Sequence, residues 1–164
     1  MSTWEINDRI VNGDRIKFGD AAWDAMMLDK IDQAARRLTT GGAHVVITTM
    51  APRAPNELVP PSDGAETSRY VRLNELYTQY ARAHPASVSV VDFAGMLCPG
   101  GPPCPRTVDG IDPRPLDGLH FTPKTAGWAA GRLLDAVLAC RPTNTGWLCP
   151  EQGPAGRGNQ AARK

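Results

Sequence analysis

The strongest constraint on the fold is a pair of short β-branched apolar runs separated by one amphipathic helix. The first run is Ala43-His44-Val45-Val46-Ile47-Thr48-Thr49-Met50, and the second is Ser87-Val88-Ser89-Val90-Val91-Asp92. Short apolar runs with turn residues on each side read as parallel strands buried on both faces. His44 opens the first run and reads as a structural or edge residue. Between the runs, Leu73, Leu76, Tyr77 and Tyr80 recur at helical spacing over about Thr67 to Ala83. His84-Pro85 closes that helix, because a residue before proline is pushed out of the helical region. Strand, helix and strand in this order require a right-handed crossover.

Two further helices flank this unit. Trp23, Met26, Met27, Ile31, Ala34, Ala35 and Leu38 make an apolar stripe from Ala21 to Leu38, with Asp20 as N-cap and Gly41-Gly42 as the stop. The last helix has Thr122 as N-cap and Pro123 at its first position. It runs to about Ala139, with Ala130, Leu133, Leu134, Val137 and Leu138 on one side. Residues from Phe93 to Leu116 read as one long loop dense in Pro and Gly, and loops of that length are often functional. Beyond Cys140 the chain turns polar and Pro/Gly-rich, so residues 1–140 read as the domain and 141–164 as a disordered tail. The fold class is α/β. Two strands for three helices are too few, since a doubly wound sheet has about five. The elements therefore read as the later part of a three-layer α/β/α fold whose early strands are missing.

Charge and cysteine usage narrow the function classes. Eighteen Lys and Arg balance 17 Asp and Glu, for a net charge of +1. That argues against nucleic acid as a partner, which calls for a basic face. No apolar run approaches the roughly 18 residues that span a bilayer. Met1-Ser2-Thr3-Trp4-Glu5-Ile6-Asn7-Asp8-Arg9 has neither the basic start nor the apolar stretch of an export signal. Cys98 and Cys104 bracket Pro-Gly-Gly-Pro-Pro. The pair reads as a disulfide, which would fit an oxidising compartment, or as two free thiols in a loop. A zinc site fails for want of ligands, since Cys140 and Cys149 lack the paired spacing and His44, His84 and His120 are scattered. No cofactor or metal is expected.

The chemistry-bearing element is Asp117-Gly118-Leu119-His120, placed just ahead of the last helix. Gly118 permits a tight turn, so both side chains can face one way. The carboxylate would then fix the imidazole tautomer, and the other ring nitrogen could take a proton from a serine hydroxyl. An exposed turn with a histidine at a helix entry is the competing explanation.

The run Asp117-Gly-Leu-His120-Phe-Thr-Pro resembles the last sequence block of the SGNH (GDSL-like) hydrolases. Three other segments, in the same order, are similar to the SGNH domains fused to membrane-bound sugar O-acyltransferases. They are Trp4-Glu5-Ile6-Asn7-Asp8-Arg9, Thr48-Thr49-Met50-Ala51-Pro52 and the Cys98–Cys104 loop. The resemblance spans residues 3–139. It implies a flavodoxin-like three-layer fold, an extracytoplasmic location and chemistry on acyl esters such as O-acetyl groups of cell-surface glycans. It also implies a membrane acyltransferase domain as a partner in full-length relatives. By carry-over, Asp117 orients His120, His120 is the general base, and Trp4 and Asn7 lie at the substrate and oxyanion position. The departure is the nucleophile. No Gly-Asp-Ser occurs, and the serines are Ser2, Ser62, Ser68, Ser87 and Ser89. Two alternatives follow: a non-catalytic relative that binds glycan or a partner chain, and a truncated remnant.

Overall fold

The crossover unit forms around a two-stranded parallel sheet. In the computed structural model, which describes residues 6–56 and 58–149, β3 (Val45–Thr48) pairs with β4 (Val88–Val91) through α2 (Gly64–Ala83). The register sets Val45 opposite Val88 and Thr48 opposite Val91. Ahead of this unit lie a hairpin of β1 (Arg9–Val11) and β2 (Asp14–Ile16), then α1 (Ala21–Thr39). After it come α3 (Phe93–Leu97), α4 (Pro123–Leu138) and a second hairpin of β5 (Arg141–Thr143) and β6 (Gly146–Leu148). The described residues are thus mixed α/β, with small sheets and four helices.

Period-two alternation along the parallel pair sorts its side chains between two cores. Val45, Ile47, Val88 and Val90 pack with α1 and α2, against Trp23, Met27, Ile31, Leu73, Leu76 and Tyr77. Val46 and Val91 face the other way, against Met96 of α3 and Leu133, Ala136 and Val137 of α4. Both faces of the pair are therefore covered, which is what parallel strands require.

Five sequence expectations need correction. Helix α2 starts at Gly64 rather than Thr67, because Asp63 caps it by accepting the Glu66 N–H at 2.7 Å. The long loop is interrupted at its start by α3, which Asp92 caps by accepting the Gly95 N–H at 3.0 Å. The hairpin β1–β2, absent from the sequence reading, turns on Asn12 and Gly13, both at positive φ, as two-residue hairpin loops demand. Residues 141–149 of the expected disordered tail form β5 and β6 and are held by a Cys140–Cys149 disulfide. There Trp147 stacks on His44 with ring centroids 4.2 Å apart, and its backbone N–H donates to the Pro85 carbonyl at 3.0 Å. The rest of that tail, 150–164, lies outside the described residues.

The fifth correction concerns the helix stripes. Leu38, Leu134 and Leu138, expected inward, are 61%, 56% and 73% exposed, and Ala130 is exposed too. A sheet two strands wide offers less surface than the stripes are built to cover. Beside the outer edge of β3, an apolar groove of about 380 Å³ is lined by Met27, Ile31, Ala35, Leu38, Val46 and Ile47. The Val45 and Thr49 N–H groups donate to Ser87 and Val91 carbonyls, so the main-chain groups of Val46 and Thr48 point to that outer edge. No strand pairs with it among the described residues.

Candidate active site

In open α/β sheets ligands bind beyond the carboxyl ends of parallel strands. Here the segment leaving β3 runs through Met50, Pro52 and Ala54, and each of these residues is tied down. The Asn74 side chain from α2 takes the Met50 N–H and donates to its carbonyl, both at 2.9 Å. Arg114 Nη1 donates to the Pro52 carbonyl at 2.7 Å, and the Ala54 N–H donates to the Gly118 carbonyl at 3.0 Å. At the end of β4, Asp92 accepts the Thr49 hydroxyl at 2.7 Å. Thr49 Oγ1 accepts the Ala94 N–H in turn, at 2.8 Å. A depression of about 380 Å³ lies at these strand ends, lined by Met50, Pro52, Tyr70, Asn74, Asp92 and Cys98 among others.

The Asp117 turn is mounted on the same segment. Asp117 Oδ1 accepts the N–H groups of Leu119 and His120 at 2.9 and 2.8 Å, the local turn that aspartate favours. Gly118 sits at φ +74°, and a Cβ there would lie 2.1 Å from the Ala54 carbonyl oxygen, so the turn requires glycine. Its N–H donates to the Arg114 carbonyl at 3.0 Å. Two residues past His120, Thr122 and Thr125 form a reciprocal capping box at the start of α4, with Pro123 in the first turn.

The geometry is that of an acid–base pair. Asp117 Oδ2 lies 2.5 Å from His120 Nδ1. With Nδ1 donating to the carboxylate, Nε2 is the nitrogen free to accept a proton. The His120 side chain is 76% exposed, so that nitrogen faces outward rather than into the domain. Burial works to raise the Asp117 pKa, but hydrogen bonds from the His120 backbone and ring and from the Leu119 N–H outweigh it and lower it from 3.8 to about 2.

Asp8 is lowered to about 2 as well, chiefly by the Phe18 N–H and then by Arg15. A depressed carboxylate stabilises the fold above its unfolded value and loses that contribution as pH falls through its folded value. We therefore expect the carboxyl carbons of Asp8 and Asp117 to titrate near pH 2 in NMR spectra. The turn should stay intact at pH 4. A midpoint near 3.8 for Asp117 would mean that its three hydrogen bonds do not form.

Among the described residues, no serine hydroxyl is hydrogen-bonded to His120, and the hydroxyls of Ser62, Ser68 and Ser89 are engaged elsewhere. Ser62 Oγ accepts the Arg53 N–H at 2.9 Å, and Ser68 Oγ donates to the Ala65 carbonyl. Ser89 Oγ lies 2.9 Å from His44 Nε2, whose ring stacks on Trp147. His44 is half-buried, and that burial lowers its pKa. Ser2 and Trp4 lie outside the described residues. The Asn7 carbonyl accepts the Trp23 indole N–H at 3.2 Å. Cys98 and Cys104 are joined in a disulfide, which bounds the depression at the strand ends. No group of three or more His, Cys, Asp or Glu that could hold a metal occurs among the described residues.

Sequence reasoning missed Arg114, which is 2% exposed, and its neighbour Tyr70, at 1%. Burial pushes the Tyr70 phenol up to about 12 and lowers the Arg114 guanidinium. A charged side chain between Pro113 and Pro115 gives no periodic signal; the fully buried Pro113 is the nearest hint.

No protein-family model matches this chain, and no curated protein matches its sequence.

Proposed function

We propose that this chain supplies the acid and base of an SGNH-type ester hydrolase or O-acyltransferase, acting on acyl esters such as the O-acetyl groups of cell-surface glycans. The observation that carries this reading is the 2.5 Å contact between Asp117 Oδ2 and His120 Nδ1, with the opposite ring nitrogen open to solvent. In this reading His120 takes the proton of a serine hydroxyl as the oxygen attacks the acyl carbon, and returns it to the leaving oxygen. Asp117 holds the tautomer and stabilises the imidazolium. The serine comes from a segment other than those described. A three-layer, flavodoxin-like sheet would continue beyond β3, a reading supported by the unpaired edge at Val46 and Thr48 and by the exposed leucines of α1 and α4. Two disulfides, Cys98–Cys104 and Cys140–Cys149, support an extracytoplasmic location.

The pair should act weakly by itself, since a positioned imidazole that takes a proton from an attacking water contributes on the order of 10²-fold. We expect the chain to hydrolyse an activated aryl acetate faster than buffer, and Asp117→Asn to lower that rate by at least about tenfold through the wrong tautomer. An Asp117→Asn rate equal to that of the unsubstituted chain would contradict the assignment.

A second reading, a non-catalytic glycan-binding relative, is favoured by the depression at the strand ends, which Tyr70, Asn74 and Asp92 line independently of His120. Calorimetric titration with an O-acetylated glycan separates the two. Binding that survives His120→Ala, with no hydrolysis by either protein, would favour the binding module.

A further inference from the structure

Arg114 is an expensive residue to keep where it is. It is 2% exposed, only its Nη1 finds an acceptor, and Nε and Nη2 have no protein partner. The Tyr70 hydroxyl is buried without a partner as well. A buried, incompletely paired guanidinium opposes folding, and methionine or leucine would occupy similar space without that cost. Local rules are broken in this way mostly where a site needs them broken.

The connections of Arg114 indicate what it does. Its side chain donates to the Pro52 carbonyl and its own carbonyl accepts the Gly118 N–H. The Gly118 carbonyl in turn accepts the Ala54 N–H. The turn bearing the acid and base is thus bolted to the segment leaving β3 at two alternate residues. The titratable groups facing the guanidinium are Tyr70, Asp112 and Asp117. Asp112 is already committed to Arg106 at 2.9 Å and to the Arg114 N–H at 3.3 Å.

We propose that Arg114 is a positioning residue for Asp117 and His120, clamping their turn onto the Pro52–Ala54 segment. Its functional meaning rests on the ester-processing reading. Its geometry does not, so the test uses spectroscopic signals from the turn and needs no activity.

Arg114→Met should fold and keep the α1–α2 core, as seen by its melting transition. The Leu119 and His120 amides should lose hydrogen-exchange protection by about tenfold or more, as expected when a hydrogen bond is no longer held. Arg114→Lys should restore that protection in part. Retention of the amide protection in Arg114→Met overturns the proposal. If neither variant folds, the unsubstituted protein decides. Its Arg114 Nε resonance should move together with the Asp117 carboxyl carbon as pH falls from 4 to 2. A guanidinium signal indifferent to that titration also overturns the proposal.

Discussion

Replacing Gly118 with alanine should collapse the candidate site and destabilise the whole domain. The position sits at φ +74°, which costs an alanine about 1–2 kcal/mol. The new Cβ would also stand 2.1 Å from the Ala54 carbonyl oxygen and 3.1 Å from its carbon. Both are backbone atoms, so no side chain can swing aside. The turn must lift, and the Ala54 N–H then loses its bond to the Gly118 carbonyl. Strain, clash and lost bonding together amount to about 3–5 kcal/mol. For a chain of this size that lowers the melting temperature by roughly 10 °C or more. The same lift separates Asp117 from the Leu119 and His120 amides, so any Asp117-dependent ester hydrolysis should fall with it. Thermal melts and the aryl acetate assay on one preparation check both halves. An alanine variant melting within about 2 °C of the parent would show that the turn does not bear on Ala54 as described.

Trp23→Ala should have a comparable effect through the core rather than the site. Trp23 is fully buried, and its indole N–H donates to the Asn7 carbonyl at 3.2 Å. Its ring meets Phe18 edge-on at 4.8 Å between centroids. It therefore joins α1 to the segment entering β1. Truncation of a buried tryptophan typically costs about 3–5 kcal/mol. We expect the urea midpoint to drop by that free energy divided by an unchanged slope. Trp23→Phe should recover part of the loss, since it keeps ring area and forfeits the hydrogen bond. A cost below about 1 kcal/mol would mean that the first helix is not anchored there.

The parts legible in the sequence are those whose causes are local. Val45–Thr48 and Val88–Val91 announce themselves by composition, and the crossover by the helix between them. Asp117 and His120 are three residues apart with a glycine inside, and Thr122-Pro123 marks the next helix, so the acid–base geometry follows from one short stretch. Asn12-Gly13 is a local hairpin signal too, but Ile10 is 70% exposed, so its strands lack the alternation that would mark them.

What could not be read depends on distant partners. Arg114 is buried because the Pro52 carbonyl, 62 residues away, accepts from it. The Cys140–Cys149 disulfide and the stacking of Trp147 on His44 turn a polar tail into a hairpin, and neither contact has a spacing signature. The exposure of Leu38, Leu134 and Leu138 follows from the width of the sheet, a property of strands paired and unpaired.

The most direct test of the acid–base reading is hydrolysis of an activated aryl acetate by the unsubstituted chain and by His120→Ala, measured side by side at pH 8. His120 is 76% exposed and outside the core, so its removal should cost only the exposed bond to Asp117 and lower the melting temperature by no more than about 2–4 °C. The account requires the excess rate over buffer to vanish in His120→Ala. An excess rate that persists undiminished in that variant would contradict it.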